Sequence, residues 1–156
     1  MTARGAPVPV SDCMACRLTT GELEVPGGCI HQTDHWRVEH CIGPLGVGTL
    51  IVKPRRHVLY VADLTDEEAE ELGPLLRQTA KVVEHLTEAE QVYVTLWSHG
   101  PVHIHWVVQP VTAKQVEEAE LHGPRLQVLM FDLGESPDPV EAATFAERAR
   151  STWPVA

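Results

Sequence analysis

The sequence predicts an α+β fold in which a mostly antiparallel sheet packs against one long helix. Three observations support it: several short apolar segments have strand character, one long segment has helical periodicity, and two strand candidates are separated by a short polar turn. The 156 residues fit a single domain that can bury its own core. We expect residues 1–12 to form a flexible tail and residues 13–156 to form this domain.

The first half of the chain should supply two strands after an irregular start. Residues 13–28 lack periodicity and end at a Gly-Gly pair, so we expect a knuckle followed by irregular chain. Residues 35–40 alternate apolar and polar side chains, as a half-buried strand does. Residues 49–53 predict a more buried strand, which Pro54 should end.

A helix is expected from Thr65 to about Leu86. Thr65 and Glu68 have the spacing of a capping box, in which each side chain satisfies an amide of the first turn. Apolar residues then recur at helical spacing, namely Ala69, Leu72, Leu76, Ala80 and Val83. Pro74 lacks the amide proton of a regular turn and should kink or split this helix.

The second half should contain an antiparallel strand pair and C-terminal helices. Residues 91–97 and 102–108 have strand character and are joined by a four-residue turn rich in Ser, Gly and Pro. A polar helical stretch follows Pro110. After it come an apolar patch at residues 126–131 and a last helix over residues 139–152.

Charge and hydropathy exclude several classes of function. The formal net charge of −10 argues against non-specific nucleic-acid binding, which needs a cationic surface. No apolar run approaches the roughly 20 residues of a membrane span, and the N-terminus lacks the layout of a secretory signal. We therefore expect no membrane association and a cytoplasmic location. A basic cluster, Lys53, Arg55 and Arg56, is interpreted as a solvated strand end that can also offset the global charge near a phosphorylated ligand.

The strongest chemical signal is the pair of histidines at positions 103 and 105. On a strand, alternate side chains share a face, so His103, His105 and Val107 should point to one side. The two imidazoles would be about 7 Å apart, a spacing that suits two adjacent roles. One can hold a metal ion while the other faces a substrate.

Cys13 and Cys16 form a Cys-x-x-Cys pair that can bind one zinc ion. A redox pair is the competing use, although that motif normally opens a helix after a strand. Spacing alone leaves the other ligands open among these residues: His57, His103, His31, His35, His40 and Cys29. Cys29 and Cys41, taken singly, are interpreted as small buried residues, and disulfides are not expected.

These motifs, in this order, resemble the histidine triad superfamily, whose members bind or cleave nucleotides and nucleotide sugars. The resemblance covers roughly residues 13–110. It runs from the Cys-x-x-Cys through the strand–Pro–basic–His segment at residues 48–58 and the acidic helix start at residues 63–68. It ends in the His-apolar-His strand before Pro110. The resemblance implies a sheet of about five strands against one long helix, with C-terminal helices, and often a homodimer.

Aligned on Pro110, the family's three histidines correspond to His103, His105 and Val107. A shifted frame, with Pro101 at the first position and His103 in the middle, would break the spacing to Pro110. The middle histidine is the nucleophile in the family, so the resemblance assigns that role to His105. Val107 is a departure, because a valine cannot bond to phosphate or protonate a leaving group. Cys41, near the position of a relative's ribose-binding Asp or Asn, is a second departure.

The galactose-1-phosphate uridylyltransferase branch is similar in lacking the third histidine and in having a zinc site. Carried over by position, that resemblance implies a structural zinc held by Cys13, Cys16, His57 and His103.

The expected activity is hydrolysis or nucleotidyl transfer through a covalent His105 intermediate. The expected partner is a nucleotide, a nucleotide sugar or another phosphorylated small molecule, and Ser98 and His99 are candidates for contacting its phosphate. Two alternatives remain: a non-catalytic, zinc-stabilised binding protein for a nucleotide-like ligand or a protein partner, and a redox- or zinc-responsive protein that works through Cys13 and Cys16.

Overall fold

A five-stranded antiparallel sheet forms the centre of the computed structural model, which describes residues 11–98 and 102–155. The strand order is β1-β2-β3-β5-β4, and every neighbouring pair is antiparallel. The strands are β1 (Cys29–Gln32), β2 (Trp36–His40), β3 (Leu50–Pro54), β4 (Ala89–Thr95) and β5 (Trp106–Thr112). The predicted fold class is thereby confirmed. Residues 1–10 of the predicted tail lie outside the described residues.

Five α-helices accompany the sheet in the described part of the chain. They are α1 (Met14–Thr20), α2 (Asp66–Leu86), α3 (Ala113–Ala119), α4 (Gly123–Leu133) and α5 (Pro139–Thr152). The α3 helix begins with a capping box between Thr112 and Gln115, and the carboxylate of Asp138 caps α5. Among the described residues, no helix combines the length and the apolarity needed to cross a membrane.

The long helix α2 begins at the predicted capping box. The Thr65 hydroxyl accepts from the Glu68 amide, and the Glu68 carboxylate accepts from the Thr65 amide. Pro74 lies inside this one continuous helix and does not split it. Because Pro74 is exposed, the carbonyl that loses its amide partner can be hydrated, which explains why the helix tolerates the proline.

The main core lies between one face of the sheet and the helices α2 and α5. Trp36, at the start of β2, is fully buried and donates its indole N–H to the backbone oxygen of Glu68 at 2.9 Å. Around it pack buried side chains of the sheet and the two helices, including Val38, Leu50, Val52, Val108, Val82, Val83, Phe145 and Ala146. The opposite face of β3 and β5 is therefore available to other elements.

Three local expectations differ from the structure. Residues 14–20, expected to be irregular, form α1, and the strand β1 was not predicted. The last strand starts at Trp106, so His103 and His105 lie in the segment that leads into β5. The strand also continues past the predicted end at residue 108 to Thr112, and Pro110 is tolerated because the pairing with β3 reaches only from Trp106 to Val108.

Candidate metal centre and adjoining reactive histidine

Cys13, Cys16, His57 and His103 converge on one point of the structure. Their ligand atoms all lie within 4.8 Å of one another, and three of the four residues are buried. Cys13 precedes α1 and Cys16 lies in its first turn, whereas His57 follows β3 and His103 precedes β5. The cluster therefore connects the N-terminal helix to the sheet.

The distances within this cluster suit tetrahedral zinc. The Sγ atom of Cys16 lies 3.2 Å from Nδ1 of His57 and 3.4 Å from Nδ1 of His103, and Sγ of Cys13 lies 3.8 Å from Nδ1 of His103. Zinc bonds of about 2.3 Å to sulfur and about 2.0 Å to nitrogen place tetrahedral S and N ligands about 3.5 Å apart. Two thiols and two imidazoles are also a donor set that structural zinc sites use.

The backbone of β3 fixes which nitrogen of His103 faces the cluster. Nε2 of His103 donates to the carbonyl oxygen of Pro54 at 2.9 Å, so the lone pair is on Nδ1, beside the two sulfur atoms. Burial lowers the pKa of His103 to about 4 and also lowers the pKa of His57. Both imidazoles are consequently neutral at pH 7, the form that coordinates a metal.

The nearer residues that spacing left open as ligands have other partners. His31 stacks on Trp153 with ring centroids 4.4 Å apart, and Nδ1 of His35 lies 2.7 Å from the carboxylate of Glu71. His40 donates from Nδ1 to the Cys41 carbonyl and accepts the Gly48 amide proton at Nε2. The thiol of Cys29 donates to the carbonyl of His31.

His105 lies next to the cluster but has a different arrangement. Its Nδ1 atom is 3.0 Å from the backbone oxygen of His103. Because a carbonyl oxygen only accepts, Nδ1 carries the proton of the neutral ring and the lone pair is on Nε2. The side chain is half-buried and lines two cavities. An imidazole held in this way can act as a nucleophile.

The two cavities meet at His105. One, the knuckle-side cavity, measures about 420 Å³, and its lining includes Met14, Leu18, Glu39, Cys41, Ile51, Lys53 and His105. The other, the α4-side cavity, measures about 360 Å³ and is lined by Leu45, Trp97, His105, Val107, Gln127, Val128 and Phe131. Leu45, His105, Val107 and Phe131 line both, so a molecule bound in either cavity is adjacent to the imidazole.

The two departures from the triad pattern are also found at these cavities. Val107 lines both cavities beside His105, so an apolar surface occupies the position of the third histidine. Cys41 lines the knuckle-side cavity, where its sulfur accepts from the Gly43 amide at 3.3 Å. Burial raises the pKa of the Cys41 thiol, which is therefore neutral at pH 7 and offers no charged acceptor to a sugar hydroxyl.

The sequence had indicated one solvated cluster of Lys53, Arg55 and Arg56, and the structure contradicts this. Lys53 is 1% exposed and donates to the Glu39 carboxylate and to the carbonyl oxygen of Ala15 at 3.1 Å. Arg56 binds Glu68, and Arg55 binds the carbonyls of residues 33 and 34. The three cations diverge because Lys53 lies within β3 and is buried, whereas Arg55 and Arg56 follow the end of the strand.

The buried pair Glu39–Lys53 connects the sheet to the Cys-x-x-Cys segment. Lys53 reaches the Ala15 carbonyl, between the two cysteines, and Arg37 donates to the second oxygen of Glu39 at 2.9 Å. Burial lowers the pKa of Lys53, and the opposing charge of Glu39 partly offsets this. The only sign of this pair in the sequence is that Lys53 lies in an otherwise apolar strand and Glu39 in the neighbouring one.

Of the two residues expected to contact phosphate, Ser98 is described by the structure. The Ser98 hydroxyl donates to the carbonyl of Val102 at 3.3 Å, and neither cavity beside His105 includes Ser98 in its lining. His99 lies outside the described residues. The residues that sequence reasoning missed, Trp97, Gln127 and Phe131, belong to the α4-side cavity. The apolar patch at 126–131 was a signal for α4, but nothing local showed that it would lie beside His105.

Comparisons with known proteins show the fold. No protein-family profile matches the chain, and no curated protein sequence matches it. Among solved structures, a Hit-like protein involved in cell-cycle regulation from Bartonella henselae is similar, with a TM-score of 0.70 and 15% identity over 92% of this chain and 98% of that one. A zinc-bound histidine triad family protein from Mycobacterium smegmatis has a TM-score of 0.65 and 17% identity, over 90% of this chain and 94% of that one.

A hypothetical histidine triad nucleotide-binding protein from Sulfolobus tokodaii is also similar, with a TM-score of 0.67 and 14% identity over 90% of this chain and 91% of that one. The chain therefore has the fold of the histidine triad proteins. Since a fold hosts many functions, the chemistry of this chain has to be argued from its own site.

Proposed function

We propose that this protein is a zinc-stabilised phosphohydrolase or nucleotidyltransferase that acts through a covalent intermediate on His105. One observation carries the proposal: the backbone oxygen of His103 holds Nδ1 of His105 at 3.0 Å, so the lone pair of the imidazole is on Nε2 beside two cavities. The substrate class is a nucleotide, a nucleotide sugar or a similar phosphorylated small molecule. The nucleotide-binding histidine triad protein of similar fold supports that class.

In the proposed reaction, Nε2 of His105 attacks the phosphorus atom. A bond forms between nitrogen and phosphorus, and the bond from phosphorus to the leaving oxygen breaks, so that oxygen departs with the electron pair. Water or a second acceptor then attacks the phosphorus, gives up its proton to solvent and releases the neutral imidazole. The hydrogen bond from Nδ1 to the His103 carbonyl stabilises the positive charge that the ring acquires in both steps.

The zinc ion in this proposal is structural. Cys13, Cys16, His57 and His103 supply four ligands, which leave no open position for water or substrate. When bound, the ion fixes His103 and so fixes the carbonyl oxygen that orients His105. The zinc-bound histidine triad protein of similar fold supports this assignment.

Ser98 and His99 remain candidates for binding the phosphate, since their turn precedes the segment that carries His105. The resemblance to the histidine triad superfamily also supports a homodimer. The strand β4 lies at one edge of the sheet and is available to a second copy.

A second candidate function is a non-catalytic protein that binds a nucleotide-like ligand. One observation favours it: Val107, beside His105, supplies no proton to a departing group. The two candidates differ in whether a covalent bond to His105 forms.

Trapping of the intermediate tests the proposal. The protein is incubated with a panel of labelled nucleoside phosphates and nucleotide sugars, quenched at neutral pH and analysed by mass spectrometry for a phosphorus adduct on His105. We expect an adduct in the wild-type protein and none in His105→Ala.

The control is His85→Ala, which removes an exposed histidine at the end of α2. It should retain the adduct. If wild type and His105→Ala behave alike over the whole panel, His105 is not the nucleophile and the enzymatic proposal fails.

A further inference from the structure

The α4-side cavity is an apolar space without an assigned role. Trp97, Val128 and Phe131 line it, and these side chains are 63%, 53% and 56% exposed. Scattered apolar residues at a surface are ordinary, but several that surround one concavity indicate a binding surface. The volume of about 360 Å³ is ample for an aromatic ring, since an apolar cavity of about 150 Å³ accepts benzene.

Hydrogen bonds hold the wall of this cavity in place. The indole N–H of Trp97 donates to Oε1 of Gln127 at 3.0 Å, and Nε2 of Gln127 donates to Thr95 and Gln109 at 2.9 and 3.0 Å. Gln127 and Gln109 are buried, so this network attaches α4 to β4 and β5. The cavity is therefore preformed, which reduces the entropy lost when a ring enters it.

The position of His105 between two cavities constrains the substrate. Because both cavities include His105, a phosphoryl group at Nε2 can extend one substituent into each of them. A terminal phosphate monoester has a single organic substituent and would occupy only one of the two cavities. The cavities also differ in lining, since the α4-side cavity includes the Trp97 ring, whereas aliphatic side chains such as Met14, Leu18 and Ile51 line the knuckle-side cavity.

Val107 limits which substituent can depart. It lies beside His105 and cannot donate a proton, so this position favours a leaving oxygen that is stable as an anion. An aryl oxide, whose conjugate acid has a pKa of about 10 as in tyrosine, leaves far more readily than an alkoxide. The aromatic side chains of the α4-side cavity and the lack of a proton donor at Val107 thus both favour an aryl oxide as the leaving group.

We propose that the α4-side cavity is a subsite for an aromatic group joined through oxygen to the phosphorus that His105 attacks. The substrate is accordingly a phosphodiester with an aryl substituent in the α4-side cavity and a second substituent in the knuckle-side cavity. Trp97, Val128 and Phe131 contact the ring. This assignment rests on the proposed function for its reaction, whereas the binding site itself can be tested without turnover.

The test compares the phenyl and methyl esters of adenosine 5′-monophosphate. Their affinities for His105→Asn, which forms no adduct, are measured by calorimetry. We expect the phenyl ester to bind about tenfold more tightly, because its ring leaves water and contacts apolar side chains. In His105→Asn, the further change Val128→Ser should reduce this ratio at least threefold, and Val128→Trp should abolish it by filling the cavity with a side chain of the protein itself.

The matched control is Val140→Ser, which changes an exposed valine on α5, outside both cavities. It should leave the ratio of the two affinities unchanged. Equal affinities of the two esters, or a ratio that Val128→Ser does not alter, would overturn the subsite, and so would binding of neither ester. If the phenyl preference is absent and Val128→Ser converts a dimer into a monomer in sedimentation, a second copy fills the cavity and the inference is wrong.

Failure of the two proposals can be distinguished. An adduct on His105 in the wild-type protein, combined with equal ester affinities, overturns the subsite alone. A phenyl preference that depends on Val128, without an adduct from any substrate, retains the binding site and overturns the nucleophilic role of His105.

Discussion

The carbonyl oxygen of His103 accepts a hydrogen bond from Nδ1 of His105 at 3.0 Å, while the ring of His103 itself lies in the cluster of thiols and imidazoles. The two neighbouring histidines thus present opposite nitrogens to their surroundings. His103 directs Nδ1 toward the sulfur atoms because Pro54 binds its Nε2, and His105 retains a lone pair on Nε2. A rigid segment at position 103 therefore orients the imidazole at position 105.

Metal analysis tests the ligand set. We expect about one zinc per chain in the purified protein, and much less in Cys13→Ser or His57→Ala, because three ligands hold structural zinc less tightly than four. Plasma mass spectrometry measures the content. Cys29→Ser and His31→Ala are the matched controls, and they should keep the metal, since neither residue belongs to the cluster. Full zinc in a His57→Ala, His103→Ala double variant contradicts the proposed ligands.

Lys53→Met should destabilise the protein by about 3 kcal/mol, as expected when one member of a buried ion pair is removed and the other stays buried. Arg37 still binds Glu39 in this variant, which keeps the loss at the lower end of the range. Urea denaturation measures the free energy of unfolding. The second change Glu39→Met should recover part of the loss, because the fully buried carboxylate is then gone, although Arg37 keeps only its bond to Gln32.

Lys114→Met is the control for this lysine, since Lys114 forms an exposed pair with Glu118. It should change the free energy of unfolding by less than about 0.5 kcal/mol. A similar value for Lys53→Met would show that the buried pair contributes nothing.

Glu68→Gln should remove part of the acid sensitivity of the fold. The hydrogen bond from Arg56 lowers the pKa of Glu68 in the folded protein. A lowered pKa adds stability above the unfolded value of about 4.3, and this stability is lost as the pH falls through the folded pKa. We expect the variant to be about 1–2 kcal/mol less stable at pH 7, and the difference to shrink below about pH 4.

Denaturation between pH 7 and pH 3 measures this difference. Glutamine still has one oxygen to accept from the Thr65 amide and from Arg56, so the capping box is retained, while the charge and one of the two hydrogen bonds from Arg56 are lost. The exposed Glu84→Gln serves as the control and should follow wild type. A constant gap between Glu68→Gln and wild type over the whole pH range would exclude a contribution from ionised Glu68.

Val107→His should raise the turnover of substrates that have basic leaving groups by about tenfold or more. The new imidazole would lie beside His105 and could donate a proton to the departing oxygen, a contribution of about 10²-fold in favourable cases. The cavities that Val107 lines provide room for the larger side chain. Steady-state kinetics with alkyl and aryl phosphodiesters measure the effect. Val107→Leu, which adds bulk without a proton donor, should show no gain, and an equal gain in both variants contradicts the explanation.

The sequence by itself determined the elements of the fold, because these depend on neighbouring residues. The capping box of Thr65 and Glu68 predicted the start of α2, the alternation of residues 35–40 predicted β2, and the apolar run of residues 49–53 predicted β3. The Cys-x-x-Cys and His-x-His motifs likewise marked where chemistry was to be expected. Local reasoning failed at α1, at β1 and at the start of β5, where packing against other segments decides the conformation.

The tertiary structure alone decided which of these residues meet. Cys16 is separated from His57 by 41 positions and from His103 by 87, so no local spacing could choose them over Cys29 or His31. In the same way, nothing in the sequence distinguished Lys53 from its basic neighbours, because its partner Glu39 lies on the adjacent strand β2. The sequence also showed no link between α4 and His105. Such contacts arise from how the whole chain buries its apolar surface, which no short segment of sequence specifies.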